Sequence, residues 1–180
     1  MNFGLPLWDL LLGRRKPKAA APHPNRVVER KPTAQQDRYD GLVRDMKSLY
    51  GLKVRKWRSS TSGVAWETHW SDGTRTRMIE SPYPRGPMSC AVFLHEVGHH
   101  AIGLSAVKPR CLEEKRAWDW SLSTMRELGF NVTERVVARR DDALRYAVAK
   151  ALRRGINRMP EEMLPWCPAH VVDAMERASC

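Results

Sequence analysis

No stretch of 18 or more apolar residues occurs in this 180-residue chain, so no transmembrane helix is expected. Cysteine is scarce. Cys90, Cys111, Cys167 and Cys180 are the four present, and no two form a Cys-x-x-Cys pair. Without a secretion signal they read as reduced thiols of a cytoplasmic protein. The N-terminal stretch MNFGLPLWDLLLGRRKPKAAAPHP is apolar at first. Its basic cluster follows the apolar part, however, and Pro6 and Asp9 interrupt it, whereas a secretory leader has the opposite polarity. A loosely ordered tail is the simpler expectation. An amphipathic foot on a membrane surface, with Trp8 and the leucines beside Arg14, Arg15, Lys16 and Lys18, is the alternative.

Acidic residues are also in short supply, 20 against 31 Lys and Arg, for a net charge of +11. The shortage is uneven. Residues 1–58 hold 14 basic residues against 5 acids, a net of +9, and residues 59–180 hold 17 against 15, a net of +2. The basic third suits a nucleic acid or an anionic surface as partner. No aromatic interleaving or helix-turn-helix pattern accompanies it, which favours a solvated basic face.

At 42% hydrophobic and 28% charged residues, the composition is that of a globular protein with one domain and a tail. Residues 1–32 form a basic tail and a linker rich in Pro and Ala, and the domain covers 33–180. TAQQ has the form of a capping box, with Thr33 as N-cap and Gln36 three residues on. Tyr39, Leu42, Val43, Met46, Leu49 and Tyr50 then recur at helical spacing up to Gly51. LKVRKW, VAWETHW and TRTRMIE read as three strands, the last two joined by a turn at Ser71-Asp72-Gly73, so a small antiparallel sheet is expected. A stiff proline loop follows. Then come a helix over about 89–103 capped by Ser89, a second over 111–128 ending at Gly129, and further helices near 141–154 and 168–178. The fold class is α+β.

The chemistry-bearing segment is HEVGHH, residues 95–100. His95 and His99 are four apart, so on a helix they share a face and both imidazoles reach one metal ion. Glu96 between them is placed to take a proton from a metal-activated water. Gly98 lets another element approach closely. A catalytic zinc needs a third protein ligand and an open position. Glu113 and Glu114, in the first turn of the next helix, lie 14 and 15 residues beyond His99, with small Ala117 behind them to permit close packing. Either glutamate suits. His100 lies about 100° around the helix from His99 and reads as structural. His69 reads as a cross-strand partner and Cys90 as a small buried residue. Tyr146 and His170 are open as donors to an oxyanion.

FLHEVGHH followed by LEEKRAW resembles the gluzincin metallopeptidases, which carry HExxH on one helix and a Glu ligand on the next. The short chain is similar to the minimal gluzincins, including phage- and plasmid-type cytoplasmic peptidases, over about residues 33–130. The resemblance implies a zincin-like domain with His95 and His99 as zinc ligands and Glu96 as general base. Glu114 is then the third ligand, matching the second glutamate of an EExxA pattern, with Glu113 as the fallback. It also implies an edge strand, placed at Thr74–Glu80, that holds an extended substrate. The chain departs from the family at Trp118, where many gluzincins carry an acid that supports a ligand histidine; Asp119 is the nearest acid.

The expected function is thus a zinc-dependent peptidase, with Zn2+ as cofactor and a protein or peptide as substrate. Two alternatives are a DNA-associated peptidase that uses the basic N-terminal third, and a non-catalytic zinc-binding interaction module.

Overall fold

The computed structural model describes residues 33–178. The tail and linker read over residues 1–32, with the amphipathic alternative, and Cys180 lie outside the described residues. Helix α1 (Ala34–Tyr50) starts at the expected cap: Thr33 is extended and its Oγ1 accepts from the Gln36 backbone N–H at 3.2 Å. Only this half of the capping box forms. The Gln36 side-chain amide turns instead to Asp40 Oδ1 at 2.7 Å and the Pro84 carbonyl at 3.2 Å. Tyr39, Leu42, Val43 and Met46 bury one stripe, whereas Leu49, expected on the same face, stays 69% exposed. Gly51, at φ +61°, closes the helix in the left-handed region.

Three strands follow: β1 (Leu52–Arg58), β2 (Val64–His69) and β3 (Arg75–Pro82). β2 and β3 form the expected hairpin, with Gly73 at φ +81° and Asp72 Oδ1 accepting from the Thr74 backbone and hydroxyl. The sheet as a whole corrects the antiparallel expectation. Its order is β1-β3-β2, and β1 runs parallel to β3. Burial explains the order. The C-terminal half of β3 carries the fully buried Ile79 and Ser81 on one face, so β3 takes the centre and its more exposed sequence neighbours become the edges. Residues 59–63 carry the chain across the end of β3, from Arg58 opposite Pro82 to Val64 opposite Glu80. The expected substrate strand at Thr74–Glu80 is corrected by the same finding: that segment is paired on both sides, and the edge strand beside the cleft described below is β2.

Helix α2 (Pro87–Ala101) begins two residues before the expected start. Ser89 is not its N-cap but sits one turn inside, where its Oγ accepts from the Arg85 and Gly86 backbone at 2.9 and 3.2 Å. Every residue from Cys90 to His100 is buried, so α2 is the central element of the domain. Helix α3 (Arg110–Glu127) folds back across it and ends before Gly129, at φ +67°. Ser121 donates to the Ala91 carbonyl at 2.8 Å, and His100 Nε2 donates to the Met78 carbonyl at 3.1 Å, tying α2 to α3 and to β3.

Helix α4 (Glu134–Arg153) starts seven residues before the expected boundary, with the Thr133 hydroxyl accepting from Val136 N–H at 3.3 Å. Its buried stripe is sparse (Val136, Leu144, Val148) and the charged run ARRDD hides the first turns. A 3₁₀ turn (Glu161–Trp166) and helix α5 (Ala169–Ala178) complete the described chain. Among the described residues, no helix is long and apolar enough to cross a membrane.

The α2–α3 contact yields a test. A Cβ at position 98 would sit 2.8 Å from the Ala117 carbonyl oxygen and 3.1 Å from the Trp120 ring. An unobstructed Gly→Ala change within a helix gains about 1 kcal/mol, but overpacking costs about 1–3 kcal/mol. Gly98→Ala is therefore expected to lower stability by up to about 2 kcal/mol in urea denaturation. A stability increase would show that the helices are not in backbone contact there.

Candidate metal centre

Helix α2 presents His95 and His99 one turn apart, with ring centroids 4.7 Å from each other. The first turn of α3 brings Glu114 against both. Its Oε2 lies 3.3 Å from His95 Nε2 and 3.6 Å from His99 Nε2. One ligand atom from each of the three residues falls within 4.8 Å of the others. A tetrahedral ion with bonds of about 2.0–2.1 Å separates its ligands by about 3.3–3.4 Å. The two glutamate–imidazole distances are close to such edges, so the donor set fits a metal ion of that size.

The two glutamates left open by the sequence have different places. Glu114 meets both Nε2 atoms. Glu113 is fully buried and faces the far side of His99, where its Oε1 accepts from Nδ1 at 3.1 Å. A proton fixed on Nδ1 leaves the Nε2 lone pair free for a metal. Arg110 bridges the pair, reaching Glu113 at 2.8 Å and Glu114 at 3.0 Å. His95 has no such partner on Nδ1. Its ring is held by stacking instead, on Trp118 at 4.4 Å and 23°.

Burial sets the protonation states. It lowers the His95 pKa to about 4, leaving a neutral imidazole whose lone pair is available. The 3.3 Å contact of His95 with Glu114 is therefore not an ion pair. His99 behaves otherwise. Burial lowers its pKa, but the hydrogen bond and charge of Glu114 and the charge of Glu96 outweigh burial and raise it. Glu114 is held well below the usual carboxylate range: burial would raise it, but both histidines together overcome that. The two opposite shifts have one cause, the close approach of the Glu114 carboxylate to the His99 imidazole.

Glu96 is buried and its pKa is pushed up to about 8, chiefly by burial. The loop 59–63 lies directly on it. A Cβ at position 63 would collide with the Glu96 carboxyl group, so Gly63 is the residue that lets the loop close over it. A dication at the neighbouring histidines would draw Glu96 back toward its ionised form.

No known family model, curated protein or solved structure matches this chain.

The cluster and Glu96 floor a cleft of about 1000 Å³. Thr61 to Ala65 form one wall and α4 forms the other. Tyr146, left open by the sequence, stands on the α4 wall and is 63% exposed; His170 does not line the cleft. His100 is buried and its Nε2 is committed to β3, away from the cluster. His69 is an exposed strand residue 3.8 Å from Glu67. Asp119 pairs with Lys115 at 2.7 Å and supports no histidine. Cys90 is a buried thiol whose pKa burial pushes up to about 12, which excludes an activated nucleophile. The supporting roles of Glu113 and Trp118 were missed from sequence, as were Gly63 and Arg139, whose Nη2 donates to the Thr61 carbonyl at 3.3 Å across the two walls. Adjacency to Glu114 was the available signal for Glu113.

The division of labour between the glutamates is open to measurement. Glu114→Ala is expected to abolish tight zinc binding. Glu113→Gln should keep one ion per chain but weaken affinity about 10–100-fold, the usual cost of losing a partner behind a ligand histidine. Competition with a chromophoric chelator reads both, and the reverse ranking would exchange the two assignments.

Proposed function

We propose that this chain is a zinc-dependent peptidase of gluzincin type on a zincin-like domain. The observation that carries the reading is the convergence of His95 Nε2, His99 Nε2 and Glu114 Oε2 beside the buried Glu96 carboxyl group, at the floor of an open cleft. His95, His99 and Glu114 would hold the ion. A zinc ion held there supplies Lewis acidity and brings the pKa of water down toward about 7. Glu96 takes the proton from the attacking water and hands it to the leaving amine. Burial under the 59–63 loop keeps that proton from bulk solvent. Glu113 and Trp118 hold the two imidazoles in place. β2, the edge strand whose first residues Val64 and Ala65 border the cleft, is the strand on which an extended peptide would lie.

A non-catalytic metal module is the weaker reading, because a structural zinc site is closed by four protein ligands and needs no cleft above it. The nucleic-acid alternative rests on the basic N-terminal third, more than half of which lies outside the described residues. The free thiols of Cys90, Cys111 and Cys167 support a reducing compartment such as the cytoplasm.

The test is hydrolysis of a peptide library by the zinc-loaded chain. Glu96→Gln should retain the ion and lose about 10²–10⁴-fold in rate, the contribution of a positioned acid–base group. Chelation should abolish activity in the parent chain and added zinc should restore it. Undiminished cleavage by Glu96→Gln would remove Glu96 from the role of base.

A further inference from the structure

The cleft wall opposite the candidate centre is one face of α4. Arg139, Ala143, Ala147, Lys150, Ala151 and Arg154 line it at i, i+4, i+8, i+11, i+12 and i+15, so a trough of alanines runs between cationic ends. From Arg139 to Arg154 the helix rises about 22 Å. An extended peptide covers that length in about six or seven residues.

The charges on this wall are not balanced within the protein. Of the carboxylates lining the cleft, Asp142 is paired with Arg145 at 2.9 Å, and Glu114 is engaged by both histidines and by Arg110. Glu96 is buried beneath the loop. Among the described residues, no carboxylate lies within ion-pair distance of Arg139, Lys150 or Arg154. Arg139 is tied to the Thr61 carbonyl on the opposite wall. Lys150 and Arg154 are both exposed, one helical turn apart, where like charges repel. That repulsion is relieved by an anion arriving from the cleft side.

We propose that the cleft selects acidic peptide segments, with side-chain carboxylates seated against Lys150 and Arg154 and the neutral middle of the segment lying over the alanines. The cleavage of such segments rests on the peptidase reading above; their binding does not. A nucleic acid fits the wall less well. A phosphodiester strand carries a charge at every unit, and between Arg139 and Lys150 the wall offers it only the alanines, Tyr146 and the anionic Asp142.

The experiment is fluorescence anisotropy with the zinc-loaded Glu96→Gln chain at low salt. The probe is a labelled ten-residue peptide with a neutral centre, a Glu-Glu pair and an amidated C-terminus. It is compared with its Gln-Gln isostere, amidated or with a free C-terminus. The acidic peptide is expected to bind about fivefold or more tighter than the amidated isostere, with the gap shrinking at high salt. In Lys150→Gln/Arg154→Gln the gap should collapse, and in Lys150→Glu/Arg154→Glu a Lys-Lys peptide should become the tighter ligand. Both positions are exposed, so these variants keep the fold. Equal binding of acidic and neutral peptides overturns the proposal, as does a gap that the substitutions leave untouched. Preference for the free C-terminus over the acidic pair overturns it too, and so does displacement of the peptide at lower concentrations of single-stranded oligonucleotide than of unlabelled peptide. If the acidic preference holds while the parent chain hydrolyses none of the peptides, the peptidase reading fails and the cleft's selectivity stands.

Discussion

Helices α2 and α3 touch through their backbones at Gly98, where the Ala117 carbonyl leaves no room for a side chain. The contact decides what the first turn of α3 can reach. Ala117 lies three residues after Glu114, so anchoring the helix at Ala117 brings the two preceding glutamates over His95 and His99. Glu114 then points to both Nε2 atoms and Glu113, about 100° further around the helix, to the back of His99. A larger residue at either contact position would move α3 outward and pull both carboxylates from the imidazoles. The burial of α2 on all sides supports the same geometry by denying the histidine helix any alternative orientation.

The electrostatics of the cluster follow from this placement. Two imidazoles and two carboxylates are packed against one another, and the carboxylates need a compensating positive charge. The raised pKa of His99 is the imidazole's response to that need. A divalent ion would meet it better, because it engages all three donors at once and lowers the cost of ionising Glu96. Arg110 contributes from the rim without entering the centre, holding both glutamates at 2.8 and 3.0 Å. The neutral state of His95, imposed by burial, leaves that imidazole with a lone pair available to a metal across the physiological range. These features support the proposed zinc chemistry from several directions, and each depends on the helix crossing.

Much of this centre was legible in the sequence because its signals are local. The spacing of His95 and His99 needs only a helix. Gly98 and Ala117 announce a close crossing through their size, and the paired glutamates sit at a helix start where acids are at home. Non-local choices were not legible. Alternation identified all three strands, but strand order depends on which strand is most buried against the helices, and this placed β1 beside β3 in parallel instead of completing an antiparallel meander. The start of α4 was hidden because its buried residues are widely spaced, although Thr133 carries the cap. Trp118 read as bulk, since stacking on His95 is visible only once the helices are crossed. The cationic wall of the cleft was spread over sixteen residues, along a helix whose orientation the sequence does not reveal.

The coordination of zinc in the loaded chain is the most direct test of the central claim, and X-ray absorption at the zinc edge measures it. The account predicts one ion per chain with two imidazole nitrogens and carboxylate oxygen at about 2.0–2.2 Å, together with an exchangeable water. Sulfur ligation at about 2.3 Å, or a shell of three or more imidazoles, would contradict it and place the metal elsewhere in the molecule.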